Sequence, residues 1–436
     1  MDQGYRMAVT DALITQRHEI ESRLKERYIE RDATISGKSA NLIRVISGPR
    51  RAGKSFFAMH QLPQDGRFGY VNFDDERLAA REGDEIIAAV KEVFGAPEVL
   101  FLDEIQNLPN WELFVNRLQR EGYKLFLTGS NSQLLSSELA THLTGRYLQT
   151  TLFPFSFKEV LHTRGTLITT AEKQAMLTQY AKNGGFPEVI LKDLEAREYL
   201  STLFDAVVYK DIVKRYHIRS VPAIEDLALY LISNVASEYS YSTLAKVTRS
   251  RSVHTVKKYL AYLEQTFLFF SVPRFSFKVR EQITANRKIY CIDNGFIQAK
   301  AANFSENRGR LYENLVAITL KRHEMNGVLS CYTWKNAQQE EVDFVIRRQN
   351  RISELIQVCT HTGSPATKER EVRALLKAGE ELQCNRLRVL TETEDRSAEE
   401  EWFGKKGTVI YEPIWKWLER DGLEMNTLKK SASLQR

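Results

Sequence analysis

The sequence predicts an α/β fold with a parallel sheet at its core, and three stretches carry that reading. Gly48 to Ser55 reads G-P-R-R-A-G-K-S, a glycine loop between the apolar run Leu42–Ile46 and a helix opening at Phe56. Val99 to Leu102 is an apolar run that delivers Asp103 and Glu104 side by side. Lys124 to Thr128 is a third short run, closed by Gly-Ser-Asn-Ser. Short apolar runs ending in small or acidic residues suit buried parallel strands, whose C-terminal edges receive ligands.

At 436 residues the chain exceeds one core, and about two to four domains are expected. A hydrophobic fraction of 43% with 27% charged residues fits soluble globular domains. No apolar run is long enough to span a bilayer, and the N-terminus is polar, so neither a membrane span nor a signal peptide is expected. Cys291, Cys331, Cys359 and Cys384 form no C-x-x-C pair, which argues against zinc and points to a reducing cytoplasm. The net charge of +6 permits nucleic-acid binding without demonstrating it.

Residues 1–36 read as one or two helices, with Val9, Leu13, Ile14, Ile20, Leu24 and Tyr28 at helical spacing. They fit a packing collar for the core or a contact with a second copy. Residues 37–165 hold the glycine loop and the strands around it. Gly48 and Gly53 let the backbone wrap an anion, and the helix start adds N–H groups and positive dipole. The pattern G-x-x-x-x-G-K-[ST] therefore nominates Gly48, Pro49, Arg50, Arg51, Ala52, Gly53, Lys54, Ser55 and Phe56 as the binding segment for ATP. Lys54 suits the β/γ-phosphates and Ser55 suits Mg²⁺.

A second strand, Phe68–Phe73, ends in Asp74-Asp75-Glu76, which either faces the nucleotide or is a solvated terminus. Asp103 is the second candidate for the metal, and Glu104 the candidate to polarise the attacking water. Ser130 and Asn131, after the next strand, suit a γ-phosphate sensor or an ordinary strand cap. Arg146, in Leu143-Thr-Gly-Arg146, suits either a γ-phosphate contact in an adjacent copy or a local ion pair. The candidates for catalysis are thus Glu104, Lys54, Arg146 and Asn131, with Ser55 and Asp103 on the metal.

This ordered series, with N-F-D-D-E-R-L, Phe153-Pro-Phe-Ser-Phe157 and Gly184-Gly-Phe-Pro187, resembles a prokaryotic family of P-loop ATPases of the AAA+ type. The resemblance spans nearly the whole chain. It implies a P-loop NTPase core, then a helical lid, a winged helix and an α/β domain similar to restriction endonucleases. It implies use of ATP more firmly than any cellular role.

Residues 166–222 read as mostly helical and would form the lid, with Arg215 or Arg219 as possible second sensors. Gly184-Gly185 reads as a helix C-cap. Residues 223–300 would be the winged helix: helices over Asp226–Val235, Leu244–Val247 and Val253–Gln265, then wing strands over Phe267–Val272 and Arg274–Val279. Arg249, Arg251, His254, Lys257 and Lys258 lie on or before the third helix and would meet the phosphates of double-stranded DNA. A protein-contact module with a solvated basic face is the alternative.

Residues 301–424 would be the endonuclease-like domain, and 425–436 a disordered tail. The resemblance implies a helix Glu, a hairpin Asp and an E-x-K strand converging on a divalent metal. Glu313 and Asp343 match the first two, but the third reads Gln357-Val-Cys359. An amide is a weaker ligand than a carboxylate, and a thiol does not replace an ammonium, so a nuclease remnant is expected, with Lys368 read as a surface residue. The overall expectation is a cytoplasmic ATPase associated with DNA and capable of forming a homo-oligomer. The alternatives are an ATP-gated, Mg²⁺-dependent nuclease and a non-hydrolysing switch.

Overall fold

Period-2 alternation in five short strands builds the first sheet and assigns each of its faces a core. The structure, a computed structural model, describes residues 2–35, 42–63, 67–78, 81–130, 146–165, 167–192, 194–250, 252–301, 308–360 and 365–422. Asn131, Leu143–Gly145, Arg251 and the expected tail lie outside the described residues. The chain divides into two compact units: residues 1–154 with 265–267, and residues 155–264 with 268–436.

The first unit runs α1 (Asp2–Arg23), β1 (Ile43–Ser47), α2 (Lys54–Met59), β2 (Phe68–Asn72), α3 (Gly83–Phe94), β3 (Val99–Asp103), α4 (Trp111–Arg120), β4 (Lys124–Gly129) and β5 (Tyr147–Thr151). The strands are all parallel, in the order β2-β3-β4-β1-β5, so β4 separates the glycine-loop strand from the acidic one. Val45, Val71, Leu100, Leu102, Leu125 and Leu127 face one way and pack with Val9, Ala12 and Leu13 of α1 and with α3 and α4. Ile46, Tyr70, Val99, Phe101 and Phe126 face the other way, onto Phe57, Ala58 and Met59 of α2. With both faces covered, the strands need no polar side, which explains their continuous apolar reading. The N-terminal helix is thus part of this core.

In the second unit two capping boxes start the helices α5 (Phe157–His162) and α6 (Thr170–Asn183), through Ser156 with Glu159 and Thr169 with Glu172. Helix α6 closes at Gly184, whose φ is +76°. A Cβ there would stand 1.7 Å from Asp293 Oδ1, so only glycine fits. The Asp293 carboxylate accepts from Gly185 N at 2.7 Å and Gly295 N at 2.8 Å, and its burial pushes it up to about 7. Then come α7 (Ala196–Ala206) and, directly after it, a π-helix over Val207–Lys214.

Next come α8 (Val221–Ser233), β6 (Ser237–Tyr239), α9 (Tyr241–Val247), α10 (Val253–Gln265), β7 (Phe269–Pro273), α11 (Val279–Thr284) and β8 (Arg287–Cys291). The strands form an antiparallel sheet in the order β6-β8-β7. The second strand of the expected wing is therefore Arg287–Cys291 and not Arg274–Val279. Phe275, Phe277 and Val279 alternate as strand residues would, but Phe277 and Val279 stay exposed, whereas Ile289 and Cys291 are buried.

Helix α12 (Asn294–Lys300) and the long α13 (Arg308–Met325) lead into β9 (Ser330–Lys335), β10 (Glu341–Arg348), β11 (Arg351–Val358), α14 (Pro365–Glu381), β12 (Leu387–Thr391), β13 (Arg396–Trp402), β14 (Lys405–Pro413) and α15 (Ile414–Glu419). Here the sheet is mixed, in the order β13-β14-β12-β11-β10-β9. Val372, Leu375, Leu376 and Ala378 of α14 cover one face of it.

Candidate functional site

Because β1, β3 and β4 are parallel, their C-terminal ends lie at one edge of the sheet, and the functional side chains of the first unit gather there. The glycine loop leaves β1 at Gly48, whose φ is +147°; a Cβ would lie 2.0 Å from the Leu152 carbonyl oxygen. Arg51 and Gly53 are left-handed, at φ +65° and +88°, and Gly53 turns the chain into α2. Lys54 opens that helix and is buried. Its Nζ donates to the Pro49 carbonyl at 3.1 Å and stands 3.7 Å from Glu104 Oε1. Arg31 braces the loop from the N-terminal segment by donating to the Ala52 carbonyl at 3.0 Å and to the Phe153 carbonyl.

Ser55 Oγ donates to Asp103 Oδ1 at 2.9 Å. Asp103 also accepts from Tyr70 OH at 3.1 Å and from Thr128 Oγ1. Burial, then the charge of Glu104, raises Asp103 above the usual carboxylate range, while Thr128, Ser55 and Lys54 pull the other way. Glu104 is a left-handed non-glycine residue, at φ +50° and ψ +44°. Its amide donates to Thr128 Oγ1 at 3.0 Å, and its carboxylate accepts from Gln106 Nε2. Such a conformation at the end of a strand breaks the extended line and turns the side chain toward Lys54, the kind of local cost found at functional sites.

Phe56 belongs to an aromatic group in which Tyr28 and His60 stack at 3.9 Å between centroids. Arg50 Nη2 lies 3.4 Å from Asp74 Oδ2, so one acid at the end of β2 pairs with the loop. Asp75 instead holds Gln16 and Arg77. Ser130 is buried just after β4. Arg146 immediately precedes β5 and pairs through its carbonyl with Ile43 N, so it sits at the end of the sheet opposite the glycine loop of its own chain. Its side chain is exposed there.

A second group forms in the other unit. Glu313 of α13 and Asp343 of β10 come together, as the resemblance implies, and a cavity of about 710 Å³ opens beside them. Lys288 of β8 is there too, with Nζ 3.2 Å from Glu313 Oε1 and 3.0 Å from Asp343 Oδ1. Tyr290 OH donates to the same Glu313 oxygen at 2.8 Å. Gln357 accepts from Asp343 N at 3.2 Å and donates to Glu371 at 2.6 Å. Burial alone would lower Lys288, but Glu313, Asp343 and Glu341 outweigh it and hold the ammonium above the ordinary lysine range. Burial, then Asp343, raises Glu313. Lys368 points elsewhere, 2.8 Å from Glu400.

Of the basic residues nominated for DNA, three lie on the exposed face of α10. Val256, Tyr259, Leu260 and Leu263 bury one face of α10, leaving His254, Lys257 and Lys258 outward. Lys257 Nζ lies over the Tyr241 ring at 4.9 Å. Arg249 is exposed and left-handed in the turn before α10, at φ +49°.

Sequence reasoning missed Thr128 and Tyr70, which hold Asp103, and Gln106, which holds Glu104. It also missed Lys288, Tyr290 and Glu371 at the second group. The spacing of Lys288 and Tyr290, two residues apart in a strand and hence on one face, was the available signal.

Comparison with known proteins gives the following. A family described as "AAA domain" matches residues 40–161. Two described as domains of unknown function, DUF8612 and DUF4143, match residues 174–307 and 308–410. "Uncharacterized protein MJ1544" of Methanocaldococcus jannaschii is 34% identical over 412 residues, covering 90% of this chain and 91% of that protein. An uncharacterized protein of Haemophilus influenzae is 31% identical over 345 residues, covering 75% of this chain and 84% of that one. Among solved structures, "Replication initiator DnaA bound to AMPPCP and single-stranded DNA" covers 53% of this chain and 90% of its own, at 15% identity and a TM-score of 0.28. A "DNA replication initiation factor" covers 52% and 83%, at 17% identity and a TM-score of 0.25. Those scores are too low to bear on fold or function. Among the described residues no helix is long and apolar enough to cross a membrane. With a relative 34% identical and matched along nine-tenths of its length, the chain belongs to the family of these archaeal and bacterial proteins, and its residues 40–161 form an AAA domain built around a glycine loop and an acidic strand on a parallel sheet.

Proposed function

We propose that the protein binds ATP with Mg²⁺, hydrolyses it to ADP and phosphate, and does so in association with double-stranded DNA. The observation that carries this reading is the meeting of Lys54, Ser55, Asp103 and Glu104 at one sheet edge, with Ser55 2.9 Å from Asp103 and Lys54 3.7 Å from Glu104. The Ser55 hydroxyl, in the first turn of α2, and the Asp103 carboxylate, at the end of β3, are hard oxygen donors, which suits Mg²⁺, and these are the residues that would hold it. The bound metal would neutralise charge on the phosphates.

The chain's own residues would do the following. The amides of the glycine loop would cradle the phosphates, and Lys54 would exchange the Pro49 carbonyl and Glu104 for them. Glu104, released from Lys54, would orient a water and draw its proton. Thr128 would keep the two acids in register by bonding Asp103 and the Glu104 amide. Ser130 and Asn131 are the candidates to sense the γ-phosphate. Arg146, exposed away from its own loop, would serve a neighbouring copy, which makes a homo-oligomer part of this reading. Four buried free thiols fit a reducing compartment such as the cytoplasm.

Residues 223–300 are read as a winged helix, with α10 as the helix that approaches DNA. Arg249, Arg251, His254, Lys257 and Lys258 would contact phosphates. The double variant Lys257→Ala/Lys258→Ala is expected to bind a DNA duplex more weakly and to reduce the salt slope of log K by about 2, one per lost phosphate contact. A slope equal to that of wild type across several salt concentrations would remove α10 from the interface. The experiment for the whole reading is ATP hydrolysis with and without double-stranded DNA. Turnover that rises with DNA supports it. Saturable ATP binding without turnover would leave a non-hydrolysing switch.

A further inference from the structure

The resemblance implies a divalent metal between Glu313 and Asp343, and the residues present do not fit one. Mg²⁺ requires several oxygens at about 2.0–2.1 Å in octahedral array. Both carboxylates already face an ammonium at hydrogen-bond distance, Lys288 Nζ at 3.2 and 3.0 Å. The Glu313 oxygen that meets Lys288 also accepts from Tyr290, and the second Asp343 oxygen accepts from Val358 N at 3.0 Å. Gln357, at the position of the expected third carboxylate, spends its oxygen on Asp343 N and its amide hydrogens on Glu371. A divalent ion seated between the two acids would have to displace or crowd a buried positive charge.

We infer that the Lys288 ammonium is the resident cation of this centre, standing in place of the divalent metal, so that the centre is a charge-paired joint and not a metal-dependent nuclease. The lysine missing just after β11, where Cys359 stands, has a counterpart delivered by β8, and its ammonium sits between the acids. Lys288 and Tyr290 project from one face of β8, so a single strand supplies both donors to Glu313. The joint pins β8 to α13 and β10. It also leaves a latent site: with the ammonium removed, two buried carboxylates without a counter-ion will recruit a hard divalent cation.

The test uses the full chain without nucleotide and Mn²⁺ as the probe, followed by electron paramagnetic resonance. Wild type and Asp343→Asn are expected to take up Mn²⁺ identically, because any weak uptake arises outside this centre. Lys288→Ala is expected to gain one further Mn²⁺ per chain, and Lys288→Ala/Asp343→Asn to lose that gain. Wild type binding one Mn²⁺ more than Asp343→Asn overturns the inference, as does a folded Lys288→Ala with no added uptake. Should Lys288→Ala fail to fold, Lys288→Met, which keeps the apolar stem, replaces it. The comparison of wild type with Asp343→Asn decides the matter independently, and Lys54 and Glu104 are untouched throughout.

Discussion

Glu104→Gln is expected to bind ATP as wild type does and to hydrolyse it about 10²–10⁴-fold more slowly. That range is what a positioned general base contributes. The substitution is close to isosteric, so the left-handed turn at Glu104 and its amide bond to Thr128 remain available. Glutamine still accepts from Gln106, but it neither attracts a proton from water nor carries the charge that meets Lys54. The loss should therefore fall on kcat and leave affinity largely intact, and single-turnover kinetics with direct ATP titration separates the two. Wild-type turnover in Glu104→Gln would take this residue out of its role and shift attention to Asp103 and its partners.

Arg388→Ala is expected to destabilise the second unit by about 3–5 kcal/mol, the cost of leaving buried charges without their partner. Arg388 lies on β12, between β11 and β14, with its side chain almost wholly buried. Its Nε donates to Glu354 at 2.7 Å and its Nη1 donates to Glu412. Arg386 and Arg420, at 3.1 and 2.6 Å, each hold one of these acids from a more exposed position. Removing Arg388 leaves Glu354 with Arg386, and Glu412 with Arg420 and the charge of Lys416, all better hydrated than Arg388. Urea unfolding of the full chain measures the effect, with Arg388→Lys as the control that keeps the charge and loses the fork. A shift below about 1 kcal/mol would mean that Arg386 and Arg420 suffice.

What was legible in the sequence follows from how locally each feature is encoded. Gly48 to Ser55 is contiguous, and its chemistry depends on backbone freedom and helix polarity fixed by neighbours in the chain. Val99 to Glu104 is equally local, because a fully buried strand must be apolar and its acids can emerge only at its end. The meeting of these two segments required the sheet order, in which β4 intervenes, and no spacing encodes that. Thr128 was invisible for the same reason: a threonine ending a strand is ordinary until Asp103 lies beside it. Gly184-Gly185 was legible as a helix stop. Its second reason, the buried Asp293 carboxylate that a Cβ would strike, depends on a contact more than a hundred residues away.

The C-terminal group shows the limit from the other side. Glu313 and Asp343 matched a pattern, and the fold brings them together. The pattern located the missing lysine by its absence at Cys359 and gave no means of finding Lys288, 71 positions earlier on another sheet. The strand expected over Arg274–Val279 was misplaced because Phe275 and Phe277 look like strand residues, although Phe277 is exposed and the strand that pairs with β7 begins only at Arg287.

The most direct measurement is an equilibrium titration of wild type and Lys54→Ala with ATP in the presence of Mg²⁺. Wild type should saturate. Lys54→Ala, which removes the buried ammonium beside the glycine loop, should bind at least about tenfold more weakly, since a charge-assisted bond of about 1.5–3 kcal/mol would be lost. Equal affinities for the two proteins, or no saturable binding by wild type, would contradict a triphosphate seated on the Gly48–Ser55 loop.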